Sequence, residues 1–223
     1  MITETLSSTH GKLGPRTRNL WEVRILEGML RRLAQRTRLM VLCAPRNDFG
    51  PPYPERCVLA RVGGASSTVD HDLAKEAMRA AGEPDGLVAA RLALGDEFFG
   101  WRMGAQIVSF GWVTYRDRML GPIRLVKASG RAFLYNFHTL EGYRSQRLYQ
   151  VLLLTMRHVL GLEKVTEFVI DVDVRNTASV RGIEKGGFVL VAQVAFLTFF
   201  SRWRCLGSRT VLERTASSLF RPL

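Results

Sequence analysis

RAFLYNFHTLEGYRSQRLYQVLLLTMRHVLGLEKVTEFVIDVDVRNTASVRGIEKGGF, the stretch from Arg131 to Phe188, decides the fold. Its opening, Arg131 to Leu140, holds Phe133, Tyr135 and Phe137 and no acid, the composition of a buried strand. A turn containing Gly142 follows. Helical spacing then takes over. Leu148, Val151, Leu152, Thr155, Met156 and Val159 recur on one face, which predicts a helix from about Gln146 to about Leu160. Val165 to Val174 alternates and is rich in β-branched residues, so a second strand is expected. Asn176 suits the N-cap of a second helix, which stops at Gly186-Gly187. The order strand, helix, strand, helix favours a parallel strand pair with helical crossovers.

The turn from Gly142 to Tyr149 feeds a helix N-terminus. Free backbone N–H groups and the positive end of the helix dipole make such a place an anion site. Arg144 and Arg147 add two positive charges there. A pyrophosphate fits by charge and by donor geometry.

These residues resemble the GCN5-related N-acetyltransferases (GNAT superfamily), which bind acetyl-CoA and acylate an amine. Their pyrophosphate loop has the pattern Gln/Arg-x-x-Gly-x-Gly/Ala, often after a tyrosine, and Tyr143 to Tyr149 stands in that place. Arg144 matches the first position, whereas Arg147 stands where the first glycine is usual and Tyr149 where the second small residue is usual. Their second element reads Asn-x-x-Ala/Ser, three residues, Tyr, Glu-Lys-x-Gly-Phe. Asn176, Ser179, Glu184, Lys185, Gly187 and Phe188 fall at that spacing, with Ile183 in the place of the frequent general-acid tyrosine. The close resemblance covers about a quarter of the chain, and a looser strand pattern extends it back to about Arg56. It implies an α/β fold with a mixed, largely antiparallel sheet, a central splayed parallel strand pair and flanking helices. It also implies an acyl-CoA-dependent N-acyltransferase that moves acetyl from acetyl-CoA, as co-substrate and without a metal, to a primary amine by direct attack in a ternary complex. Pantetheine then lies between the splayed strands, along Phe137, His138 and Thr139. Arg144, Ser145, Gln146, Arg147, Leu148 and Tyr149, with Asn176, complete the expected cofactor-binding set.

Acyl transfer needs a neutral amine, a polarised carbonyl and a stabilised thiolate. No carboxylate lies between Arg131 and Leu140, where many relatives keep a base. His138, whose intrinsic pKa is near neutrality, and Asp171, which shares a strand face with Asp173, are the candidate bases. Tyr149 is the candidate acid in place of the tyrosine absent at Ile183. Each also has a plain structural reading: a packed histidine, a polar edge or helix cap, and a packed aromatic ring.

The remaining chain sets bounds. At 223 residues and 47% hydrophobic content, one domain with a real core is expected. Cys43, Cys57 and Cys205 are far apart and form no CxxC pair, so neither zinc nor a disulfide framework is suggested, and a cytoplasmic location is expected. The longest uncharged apolar run, Gly187 to Ser201, is too short to span a bilayer as a helix. It reads as two buried strands with a bend near Ala192-Gln193.

The net charge of +12 sits mainly in the ends: +6 over 1–47 (nine Lys/Arg, three Asp/Glu) and +4 over 202–223 (five and one). Basic ends suit nucleic acid, an anionic membrane face or the CoA phosphates. Nucleic acid is the less favoured partner because the interleaved aromatics of single-strand binders are missing there. A small-molecule amine is the expected acceptor, and a homodimer stays open. The alternatives are a catalytically impaired binding module for nucleic acid or a partner, and a transferase using a longer acyl donor or an acyl carrier protein.

Four segments are expected: a flexible basic tail over 1–18; an N-terminal helix–strand extension with a Pro-rich linker over 19–54; the acyltransferase domain over 55–205; and a basic C-terminal tail over 206–223. Within the extension, Asn19 to Arg36 reads as a basic amphipathic helix and Leu39 to Cys43 as a short strand. In the domain, Arg56 to Val62 reads as a strand, Ser66 to Ala81 and Asp85 to Leu94 as helices, and Glu97 to Tyr115 as a hairpin. Gly100 and Gly111 within the hairpin signal bulges or close approach of a ligand. Arg116 to Gly130 reads as an irregular connection.

Overall fold

The computed structural model describes residues 34–48, 50, 53–64, 71–84, 86–121, 123–199, 202–204, 209–211 and 219–221. The chain runs β1 (Ala34–Pro45), β2 (Val58–Val62), α1 (His71–Ala80), α2 (Leu87–Ala93), β3 (Glu97–Met103), β4 (Gln106–Thr114), β5 (Arg118–Leu120) and β6 (Ile123–Leu125). It continues through β7 (Arg131–Thr139), α3 (Leu148–Leu162), β8 (Glu167–Asp173), α4 (Thr177–Lys185), β9 (Val189–Phe199), β10 (Arg202–Arg204), β11 (Arg209–Val211) and β12 (Phe220–Arg221).

The main sheet has the order β10-β9-β1-β8-β7-β4-β3-β2, with β11 also on β9. β7 and β8 are parallel, and the other described pairings are antiparallel. The α/β class and the central parallel pair therefore stand as the sequence implied. Alternation along the strands builds a core on each face. Leu134, Ile170 and Leu42 join Leu148, Leu152 and Met156 of α3. Their neighbours Phe133, Val169 and Val41 join Leu120, Leu125 and Phe220 on the other face. At the β2–β4 end a third cluster, around Met78, Phe98 and Trp112, holds α1 and α2 against the sheet.

Several expectations change. The helix expected over 19–36 lies mostly outside the described residues, but 34–36 belong to β1, a strand of 12 residues. β1 sits between β8 and β9 from Leu39 to Cys43 and buries Val41 and Leu42 completely, while Ala34 to Arg36 pair with β9, and this pairing outweighs the local helical spacing. The expected extension therefore supplies an interior strand. The expected C-terminal tail likewise supplies β11 and β12, with Leu219 and Phe220 buried. Arg116 to Gly130 holds the β5–β6 hairpin, which forms a small sheet with β12. The run after Gly187 is one strand, because a register shift opposite Val41/Leu42 absorbs Val191 as a bulge. Among the described residues no helix is long and apolar enough to cross a membrane.

Candidate functional site

The parallel ladder pairs Arg131 with Glu167 through Leu134 with Ile170 and then stops. Both strands continue, but Tyr135 onward stays with β4 and Asp171 onward stays with β1. The strands splay from that point, which leaves backbone groups of β7 without a ladder partner on the β8 side.

On the β4 side the register shifts at the same place. Phe110 pairs with His138 and Trp112 with Tyr135, so Asn136 and Phe137 together face Gly111. This is a bulge in β7. Asn136 carries it at φ 49°, a left-handed conformation that asparagine tolerates, and its Nδ2 donates to Glu83 Oε1 at 2.9 Å. Phe137 packs on the bare backbone of Gly111, where an added Cβ would sit 2.2 Å from the ring. The close approach expected at Gly111 is thus made by a side chain of the chain itself.

Phe137 meets Tyr149 with ring centroids 5.2 Å apart. Tyr149 in turn lies on Gly182 of α4, where a Cβ would fall 2.7 Å from its ring. Two glycines thus make room for two rings at the mouth of the splay. Ile183, beside Gly182, is fully in the core.

Glu141 to Tyr143 form a single 3-10 turn ahead of α3. Ser145 (φ 66°) and Arg147 (φ 59°) are both left-handed. Arg147 therefore keeps the backbone conformation that glycine favours although it carries a side chain. It is the N-cap of α3 and gives the helix no side-chain cap, and the first turn holds no acid. The N–H groups of that turn have no intrahelical acceptor and carry the positive end of the dipole. Trp101 Nε1 donates to Leu148 O at 3.2 Å and fixes the start of the helix on the sheet.

A cleft of about 720 Å³ opens over this loop. Its lining includes Arg144, Arg147, Arg181 and Lys185 and no Asp or Glu. Among the described residues Arg147, Arg181 and Lys185 make no ion pair; Arg144 donates from Nε to Thr139 O at 3.3 Å. An anionic ligand, and most strongly a polyanion, is therefore matched by charge.

Of the residues expected to bind the cofactor, Phe137, Thr139, Arg144, Ser145, Arg147 and Leu148 line the cleft, as do Tyr149 and Asn176; Gln146 does not. Asn176 is also the cap of α4, its Oδ1 accepting from Ser179 N at 3.1 Å. The sequence reading missed the α4 face, Ala178, Arg181 and Lys185. Their spacing of three and four residues was the available signal.

The candidate catalytic residues fall on two sides. His138 lines the cleft and stacks on Phe110, centroids 5.8 Å apart. Burial, and then the Arg144 charge, pull its pKa below the ordinary histidine value, so it stands neutral at pH 7. Tyr149 lines the cleft; burial, and then the Asp171 charge, push its phenol well above the ordinary value, so it keeps its proton. Asp171 does not line the cleft. Its Oδ1 accepts from Arg118 Nε at 2.9 Å on the face away from α3. Asp173 is taken by Arg175, whose side chain and backbone N–H hold it at about 2, and is no base. Among the described residues no group of His, Cys, Asp and Glu is placed to hold a metal ion.

Comparison with solved structures supplies the fold. A putative GNAT-family acetyltransferase from Novosphingobium aromaticivorans superimposes with a TM-score of 0.51 at 16% identity, over 72% of this chain and 63% of that one. The fold is that of the GCN5-related N-acetyltransferases. A GCN5-related N-acetyltransferase from Sphaerobacter thermophilus gives 0.53 at 15% identity over 78% and 55%, and one from Kribbella flavida gives 0.50 at 15% over 81% and 63%. The chain thus spans between 55% and 63% of the length of these GNAT structures. No protein-family model and no curated protein matches the sequence.

Proposed function

We propose that the chain is an acyl-CoA-dependent N-acyltransferase that transfers acetyl from acetyl-CoA to a primary amine by direct attack in a ternary complex, in the cytoplasm where acyl-CoA is made. One coincidence carries this reading: the GNAT-type splay opens beside an uncapped helix N-terminus in a cleft lined by four Lys/Arg and no carboxylate.

Acetyl-CoA supplies the acyl carbon as a thioester and, in its phosphates, several negative charges. The first-turn N–H groups of α3 and Arg147 suit its pyrophosphate. Arg181 and Lys185 suit its remaining phosphate, and the unpaired edge of β7 suits its pantetheine amides. A β7 backbone N–H past the bulge is the donor for negative charge developing on the carbonyl oxygen. His138, neutral, takes the proton that the amine nitrogen loses as the new C–N bond forms. Tyr149, protonated, gives a proton to the sulfur as the C–S bond breaks. Solvent then returns a proton from His138 to Tyr149, and both side chains end as they began.

The test is calorimetric titration of acetyl-CoA into the full chain, beside Arg147→Glu. Micromolar binding is expected, weakened at least about tenfold by the variant, which is about 1.4 kcal/mol. Amine-dependent release of CoA thiol should follow in an acceptor panel. An unchanged sample on titration, with no heat and no thiol release, sinks the proposal.

A further inference from the structure

The β5–β6 hairpin brings one cation to the mouth of the splay from the side opposite α3. Arg118 Nε lies 2.9 Å from Asp171 Oδ1, and the guanidinium carbon stands 4.7 Å over the centre of the Tyr135 ring. Tyr135 and Asp171 are the first residues beyond the last ladder pair, Leu134 and Ile170. Arg118 therefore bridges the two strands at the vertex where they part. The ring beneath it is itself fixed, since Tyr135 OH donates to Asp96 Oδ2 at 2.6 Å and Asp96 is held by Arg116 at 2.9 Å.

The ion pair is single-stranded in its bonding. Among the described residues it uses only Nε of Arg118 and Oδ1 of Asp171. The terminal N–H groups of the guanidinium and the second carboxylate oxygen remain, on side chains still 25% and 15% exposed. A fork of donors and a lone acceptor thus lie side by side, with opposite charges, at the entrance to the proposed reaction centre. A free α-amino acid carries the complementary pair: a carboxylate for the fork and an ammonium one carbon away for the acceptor. Each ligand charge then meets its opposite and sits diagonal to its like. A peptide N-terminus or a simple amine offers only half of that pattern.

We propose that Arg118 and Asp171 form the acceptor site for a free α-amino acid, Arg118 holding the α-carboxylate and Asp171 Oδ2 the α-ammonium until it gives one proton to solvent and becomes the neutral amine. This rests on the N-acyltransferase reading, because it names the acceptor of that reaction. The Asp171 charge is felt by Tyr149, on the other side of the sheet. Asp171 so acts as an anchor for the amine, while His138 stays the base.

Saturation-transfer NMR on the full chain, with an equimolar mixture of the protein amino acids, reads the site without turnover. The same side chains as methyl esters and as decarboxylated amines form the other two arms. Amino acids should bind, and both other sets should bind at least about tenfold more weakly. Arg118→Ala should erase the difference between acids and esters while acetyl-CoA affinity is kept, which checks the fold. Asp171→Asn, nearly isosteric, should weaken amino acids without that risk. Esters bound as tightly as acids, or equal binding to Arg118→Ala, overturns the site. Absence of amino-acid binding overturns it too. Failure of acetyl-CoA to bind the same sample counts instead against the transferase reading, so the two failures are distinct.

Discussion

Arg147 sets two demands against each other. Its φ of 59° is one that side chains resist, at a cost of about 1–2 kcal/mol, part of which a glycine gives back as lost chain entropy. Its charge serves an anion beside the α3 terminus. Arg147→Gly should therefore raise stability by about 0.5–1 kcal/mol in urea melts and weaken acetyl-CoA only a few-fold, because the backbone donors stay. Arg147→Glu keeps the strain and reverses the charge, so the two variants separate conformation from electrostatics. His138 makes a second prediction. A base works only when neutral, so activity must fall as pH drops through its pKa. Burial and Arg144 lower that pKa, which moves the acid limb of kcat/KM below the ordinary histidine value near 6.5. His138→Gln should flatten that limb between pH 5 and 8 and lower kcat by about 100-fold or more. A limb that survives the substitution assigns the base elsewhere.

The elements differ in how far the sequence discloses them. α3, β8 and α4 carry their own periods and caps, so residues 146–187 were readable to within two residues at each end. β5, β6 and β12 have three, three and two residues, too few for any period to register. They exist because Leu120, Leu125 and Phe220 have an apolar sheet face to cover. The start of β1 was misread for the opposite reason: a helical spacing ran on into a segment, Ala34 to Arg36, that pairs with the distant strand β9. The bulge at Asn136 is a matter of register between β7 and β4, which one strand's composition does not hold, although Gly111 marked its far side. Gly111→Ala tests that bulge. A Cβ at 2.2 Å from Phe137 Cε1 cannot be absorbed without moving the ring. The substitution should cost about 1–3 kcal/mol of stability by overpacking. It should also disturb the Phe137–Tyr149 contact, so acetyl-CoA titration should weaken together with the urea midpoint. Gly104→Ala in the β3–β4 turn, where φ is 60° and nothing lies within 4 Å of the added Cβ, is the control: backbone strain should lower the urea midpoint while acetyl-CoA binding stays intact.

At the scale of the whole molecule, the splay is held open by three layers that come from distant parts of the chain. α3 and α4 close one face, α1 and α2 cover the β2–β4 end of the other, and the small sheet of β5, β6 and β12 covers the remainder. The last of these couples the C-terminal residues to the vertex. Phe220 and Leu219 are 5% and 1% exposed, and Val126 N donates to Leu219 O at 2.9 Å. Phe220 pairs with Leu125, which pairs with Arg118 across the hairpin. Truncating this ring therefore reaches beyond its own pocket. Phe220→Ala should lose about 3–5 kcal/mol, the usual range for a buried phenylalanine. Within the protein that remains folded, the hairpin should loosen and Arg118 should leave Asp171. Tyr149 would then feel a less neutralised Asp171, but α3 and its cation-lined cleft lie on the other face and are untouched. The expected pattern is a large drop in urea stability, amino-acid binding weakened as in Arg118→Ala, and acetyl-CoA binding retained at temperatures below the melt. Equal loss of both ligands would mean instead that the two faces of the sheet respond as one unit and that the small sheet props the splay itself.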